Sequence, residues 1–235
     1  MLDPAAQGAP EVHLWNLHLL AAAPREAELG RLLSPEERSR AERLHSERER
    51  RRFVVRRGRL RQILAQYLGG EPASIVLRAG SFGKPELAGA GAGPAIRFSA
   101  SHAEDFGLVA LARDHELGLD VVAHHPRNAG LERVAALLAP EEQSWLARMP
   151  SAAWVRGFFD LWACKEAFVK AIGLGLACPL DQFAVAFTPD HAPRLLYAPP
   201  SVAPRSWALQ RLEVGPGFSA ALAVEGNPPR LRQFA

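Results

Sequence analysis

Cysteine and lysine are both scarce in this chain. The only cysteines, Cys164 and Cys178, are too few for a disulfide framework or a zinc site and read as reduced core thiols. No apolar run approaches the roughly 20 residues that a bilayer span requires. The start, Met1-Leu2-Asp3-Pro4, shows neither the basic nor the apolar region of a secretory leader, so a cytoplasmic protein is expected. A phosphate-binding P-loop, a dinucleotide glycine fingerprint and metal-type His/Cys spacing are all missing. What remains is an ordinary soluble composition, 48% hydrophobic and 23% charged over 235 residues, enough for one large core or two small ones.

The net charge of +3 conceals an uneven distribution, because residues 38 to 61 hold eleven arginines against three acids. Such a stripe suits phosphate groups, on nucleic acid or on a phosphorylated cofactor; it also suits a plain solvated helix face. Only three of the 28 basic residues are lysines, Lys84, Lys165 and Lys170, and all three fall in short motifs.

The chain repeats itself at an offset of 105 residues. Leu32-Leu33-Ser34-Pro35-Glu36-Glu37-Arg38-Ser39 returns as Leu137-Leu138-Ala139-Pro140-Glu141-Glu142-Gln143-Ser144. The same offset lays Arg51-Arg52-Phe53 on Arg156-Gly157-Phe158, Gly70 on Gly175, and Val12 to Trp15 on Leu117 to Asp120. A period near half the chain indicates a duplicated domain, with halves at 1–114 and 115–235. Ser34-Pro35-Glu36-Glu37 carries an N-cap serine, a proline at N1 and a glutamate at N3, and Ser46 with Glu49 repeats the capping box. Helices are therefore predicted over 35–45 and 47–68, then about 130–138, 140–148 and 152–173. Strands are predicted within 96–112 and at 117–123, 182–187, 206–213 and 217–224, and the Pro-rich stretch 189–204 is expected to be a loop. Each half is α+β, and a ligand shared by both belongs at their seam.

Asp120 lies inside an apolar strand run, where a carboxylate is costly to bury alone; it either pairs with a base from a helix or faces a cleft and binds a cation. Glu166 precedes Lys170 by four residues on one helix face with Trp162, which alone is an ordinary ion-pair spacing. Ser101 and His102 are strand neighbours that point to opposite faces, so ligand binding fits them better than a nucleophile–base pair. Gly83-Lys84-Pro85 is a rigid turn that presents a lysine.

The order of these motifs is more specific than any one of them. Gly83-Lys84-Pro85, Phe98-Ser99-Ala100-Ser101-His102, Gly118-Leu119-Asp120 and the run from Trp162 through Lys165-Glu166 and Lys170 to Gly173-Leu174-Gly175-Leu176 closely resemble the Sfp-type 4′-phosphopantetheinyl transferase family. The resemblance implies two similar α/β halves related by a pseudo-twofold axis, with coenzyme A between them. It implies transfer of the phosphopantetheine arm to a serine of an apo acyl or peptidyl carrier protein, with release of 3′,5′-ADP. Asp120 and Glu166 match the family's ligands for Mg²⁺, an ion that favours one or two carboxylates plus phosphate oxygens and waters. Arg40, Lys84, Ser101 and His102 match positions gripping the 3′-phosphate of the coenzyme, Arg78 less directly, and Lys170 stands where it would neutralise the departing phosphate. Glu166 matches the candidate base. Glu142 matches a carboxylate proposed to activate the serine, and equally reads as the N3 cap residue of its helix. Many members carry a third carboxylate two residues after the aspartate, where this chain has Val122. Fatty-acid, polyketide and peptide carriers remain open as partners, and the internal duplication makes a monomer the expectation. A nucleic-acid-binding module built on helix 47–61 is the competing reading. Acids interleave with its arginines, and it has no recognised reading motif.

Overall fold

In the computed structural model, which describes residues 9–20, 23–80, 83–88, 95–124, 130–175, 178–188, 191–200, 202 and 205–235, both serine caps start helices. At the head of α2 (Pro35–Glu42), the Ser34 hydroxyl accepts the Glu37 N–H at 3.2 Å, and the Glu37 carboxylate accepts the Ser34 N–H at 3.0 Å. Ser46 caps α3 (Glu47–Leu68) through the Glu49 N–H, and Gly69, with φ +66°, ends it in a conformation that favours glycine. Ahead of them come β1 (Glu11–His18) and a short α1 (Ala23–Arg31), and behind them the small hairpin β2 (Leu77–Ala79) and β3 (Pro85–Leu87). The predicted strand region folds as an antiparallel pair, β4 (Ile96–Ala103) and β5 (Phe106–Arg113).

The second half repeats the pattern with β6 (Leu117–Ala123), α4 (Leu131–Ala135), α5 (Pro140–Ala147) and α6 (Ser151–Ile172). It continues with β7 (Ala184–Thr188), β8 (His191–Tyr197), β9 (Trp207–Leu212) and β10 (Phe218–Glu225), and ends in β11 (Arg230–Phe234). Strand alternation then sorts the apolar residues into layers. On β5, Val109 and Leu111 face the α3 residues Leu60, Ile63 and Leu64. Leu108, Ala110 and Ala112 instead face Leu117, Leu119, Val121 and Leu222 of the second sheet. On β10, Ala221 and Ala223 turn away from that interface toward α6. The order is α3, the sheet β11-β1-β5-β4, the sheet β6-β10-β9, then α6, an α+β stack whose two middle layers are the two halves meeting.

Helix α1 and the hairpin β2–β3 are not among the predicted elements, and two features of the second half also depart from the sequence reading. The Pro-rich stretch is not all loop, because β8 pairs with β7; Pro193, which has no N–H to donate, falls where the register shifts and no ladder bond is required of it. The last strand, β11, has no counterpart among the predicted elements. It pairs in parallel with β1, Glu11 opposite Arg230, and Phe234 stacks on Trp15 with ring centroids 4.6 Å apart. The chain's end thus returns to the first half's sheet. No helix among the described residues is long and apolar enough to cross a membrane.

Candidate active site at the seam

Gly118 sets how closely α6 approaches β6. A Cβ there would lie 2.0 Å from the Ala167 carbonyl oxygen and 2.3 Å from the Ala171 nitrogen, so only glycine lets the helix backbone rest on the strand. Residues 118, 120 and 122 share that face, which delivers Asp120 to the last turns of α6. Asp120 is 7% exposed and has the helix base that a buried carboxylate needs: Lys170 Nζ donates to its Oδ1 at 2.5 Å, and Ser101 Oγ donates at 2.9 Å. The Ser101 oxygen also accepts from Lys170 Nζ at 3.1 Å and from the Val121 N–H at 3.2 Å, while Ser99 Oγ accepts the Leu119 N–H at 3.0 Å. Two alternate serines of β4 therefore stitch the first sheet's edge to β6 and hold the peptide groups on either side of Asp120.

Glu166 is half-buried on α6 beside this cluster. Burial raises its pKa, the Asp120 carboxylate raises it further, and Lys170 pulls the other way. Glu166 has no hydrogen-bond partner among the described residues, and the i,i+4 ion pair with Lys170 does not form, because the ammonium crosses to Asp120 instead. Val122, on the same face as Asp120, packs into the α6 core and donates nothing. Beyond Glu166 a pocket of about 640 Å³ opens between Trp162, Leu137, Leu138, Val169 and Leu180.

The next residue along β4 points the other way. His102 stands against the Arg56 guanidinium at the mouth of a pocket of about 330 Å³ lined by Arg40, Arg56, Arg57 and Arg78, with no acid in its wall. Arg40 and Arg56 both lie over the Phe53 ring, 5.6 and 5.5 Å from its centroid. Burial, with Arg57 and Arg40 close by, lowers the Arg56 pKa to about 10, and burial with Arg56 and Lys170 lowers that of His102 to about 4. Arg57 is held by Glu37 and Arg78 lies 3.4 Å from Glu86, so Arg40 and Arg56 are the guanidinium groups of this wall that no carboxylate pairs with among the described residues, and crowded cations of that kind suit an anion. The pocket therefore gathers Arg40, Arg78 and His102 from the sequence-based candidates and adds Arg56 and Arg57, which sequence reasoning had left within the undifferentiated stripe.

That stripe is not a free basic face. Arg48 and Arg52 hold Asp105, Arg51 pairs with Glu47, and Arg57 and Arg61 clasp Glu37. Lys84 is turned away from the arginine pocket, although its neighbours Gly83 and Pro85 line it. Its ammonium donates to the Leu117 carbonyl at 2.9 Å and lies 3.7 Å from Glu116, across the junction between the halves. Burial lowers its pKa against the opposing pull of Glu116. Glu142 is sealed in at 1% exposure, with both carboxylate oxygens on Lys165 Nζ at 2.7 and 2.8 Å and accepting the Ala139 and Val185 N–H groups at 3.0 and 2.9 Å.

Residues 116–223 match the model of the 4′-phosphopantetheinyl transferase superfamily, and residues 23–114 match that of the 4′-phosphopantetheinyl transferase N-terminal region. The 4′-phosphopantetheinyl transferase HetI of Nostoc sp. is 35% identical over 92% of this chain and 88% of its own length. The chain belongs to the 4′-phosphopantetheinyl transferase superfamily. Its reaction is the family's, transfer of phosphopantetheine from coenzyme A to a carrier protein. Sfp of Bacillus subtilis is 25% identical over 82% of each chain, and the L-aminoadipate-semialdehyde dehydrogenase-phosphopantetheinyl transferase of Xenopus laevis 28% identical over 74% of this chain and 62% of its own. In this transferase the acidic cluster and the arginine pocket are served by consecutive residues of one strand, Ser101 and His102.

Proposed function

We propose that the transferase holds the diphosphate of coenzyme A at Asp120, Glu166 and Lys170, with a magnesium ion, and anchors the 3′-phosphate in the arginine pocket. The observation that carries this reading is β4 itself, whose alternation turns Ser101 to the carboxylates and His102 to the arginines. Among the described residues no three His, Cys, Asp or Glu side chains gather as a metal cluster. Two carboxylates are nevertheless the donor set that suits Mg²⁺, which takes its remaining ligands from phosphate oxygens and water. The mutual repulsion of Asp120 and Glu166 is what a cation between them would relieve. The chemistry such an ion supplies is neutralisation of diphosphate charge.

The remaining steps belong to the chain's own residues. Arg40, Arg56, Arg57, Arg78 and His102 fix the nucleotide end by charge-assisted hydrogen bonds. Glu166, unpartnered and with a raised pKa, accepts the proton of the incoming serine hydroxyl as it attacks the β-phosphorus. Lys170 donates to the 3′,5′-ADP phosphate that departs, and Ser101 keeps Asp120 and Lys170 in register. Lys84 contributes by bracing the junction through Leu117 and Glu116. Internal duplication supports a monomer. Positioning and charge neutralisation supply most of the acceleration, as in phosphoryl transfer generally.

Incubation with an apo carrier protein, coenzyme A and Mg²⁺, read by intact mass, tests the assignment. The carrier is expected to gain one phosphopantetheine arm, and to stay apo with Asp120→Ala, Glu166→Ala or a chelator. Full activity in the folded alanine variants would refute the roles given to those two carboxylates.

A further inference from the structure

Glu166 has no bond of its own to hold it, yet its placement decides whether two carboxylates face one ligand. Its neighbour Lys165 has the opposite character. Lys165 is fully buried, and its three ammonium protons are all used, on Glu142 Oε1 at 2.8 Å, Glu142 Oε2 at 2.7 Å and the Phe183 carbonyl at 2.8 Å. Glu142 in turn takes the N–H of Ala139, at the start of α5, and of Val185, on β7. One ion pair thus ties α6 to α5, to β7 and to the segment before β7. Consecutive helix residues are about 100° apart, so whatever fixes the direction of residue 165 also fixes that of 166.

The first half carries the same device. Glu37, 105 residues before Glu142, grips Arg57 at 2.8 Å and Arg61 at 2.7 Å, and Arg61 reaches the Ile75 carbonyl at 2.8 Å. The residue beside Arg57 is Arg56, which lines the arginine pocket. In each half a buried helix-start glutamate thus ties down the long helix beside the site: Glu37 holds two arginines of α3, one of which itself lines the pocket, and Glu142 holds Lys165, next to Glu166. Apolar residues of similar volume often replace a buried ion pair without loss of stability, and the best-attested use of such a pair is to fix registry.

We infer that the Glu142–Lys165 pair is a positioning device that sets the rotation of α6 and so presents Glu166 toward Asp120, and that Glu142 is not the base. This rests on the functional reading above. The test is E142Q/K165M, which leaves no unpaired charge in the core, beside K165R, which keeps the charge. The double variant is expected to fold, keep the wild-type preference for coenzyme A over 3′-dephospho-coenzyme A because the arginine pocket is untouched, and lose roughly a hundredfold in kcat, the scale of an ångström-level misplacement. Its affinity for Mn²⁺ in the presence of coenzyme A, read by electron paramagnetic resonance, should fall as well. K165R should restore most of both. Wild-type kcat in the double variant overturns the inference, as does a K165R variant no better than it. Loss of turnover in E142Q alone with Mn²⁺ binding intact also overturns it, since that is the signature of a missing base. A wild-type chain inert toward apo carrier would instead remove the functional reading, and this inference with it. That outcome is seen before any variant is made.

Discussion

The closest backbone approach in the site gives the sharpest expectation, the effect of Gly118→Ala. The added methyl would meet the Ala167 oxygen at 2.0 Å, the Ala171 nitrogen at 2.3 Å and the Ala171 Cα at 2.9 Å, all backbone atoms that no rotamer can move. The strand and helix must separate by roughly 1 Å before van der Waals contact is relieved. Overpacking of this kind costs about 1–3 kcal/mol, or more where backbone must shift. At about 2–4 °C per kcal/mol for a chain of this size, Tm should fall by roughly 5–10 °C. Because Asp120 lies on β6 and Glu166 and Lys170 on α6, the same separation pulls the site apart, and kcat should fall roughly a hundredfold. Thermal unfolding by circular dichroism and carrier loading by intact mass read the two effects. Gly157→Ala is the control, because there the added methyl meets the Met149 sulfur at 2.4 Å and Met149 Cε at 2.5 Å, on a flexible side chain that can swing aside. Removing a helix-interior glycine gains about 0.5–1 kcal/mol, so its Tm should hold or rise. A G118A variant with wild-type Tm would mean that β6 and α6 do not touch as described. A lowered Tm with unchanged kcat would sink the link from that contact to the site.

Arg56→Ala removes one charge-assisted phosphate bond of about 1.5–3 kcal/mol, so KM for coenzyme A should rise about 10- to 100-fold while 3′-dephospho-coenzyme A is unaffected; an equal effect on both would exclude the arginine pocket as the 3′-phosphate site. His102 stays neutral down to about pH 4 in the free protein, and a neighbouring phosphate dianion favours its protonated form. Coenzyme A binding near pH 5 should therefore exchange protons, seen as calorimetric heats that vary with buffer ionisation enthalpy, and His102→Gln should lower the number taken up, leaving the release from the 3′-phosphate, whose second pKa is about 6. Val122→Glu adds a carboxylate on the face of Asp120 and should tighten Mn²⁺ binding with turnover retained; a folded but inactive variant would argue against the alignment of that strand.

Local signals were legible before any coordinates. The Ser34 and Ser46 caps, the strand at 117–123 and the 105-residue duplication depend on residues within a few turns of one another or on direct comparison of segments, and each appears as expected. A carboxylate inside an apolar strand pointed to Asp120, and its need for a basic partner pointed to a helix. Which base it takes was decided by docking: Lys170 leaves its i,i+4 neighbour for a carboxylate fifty residues away, because Gly118 lets α6 lie against β6. Docking likewise chose Arg56 and Arg57 from eleven similar arginines, gave Glu142 a buried lysine, sent Lys84 to the Leu117 carbonyl, and made β8 and β11 strands by supplying them with partners. Sequence determines what a residue can do within its own helix or strand, through dihedral preference, capping and periodicity. Tertiary structure decides what it does when several partners compete, because burial removes water as the alternative and leaves each polar group to whatever the packed layers bring within reach.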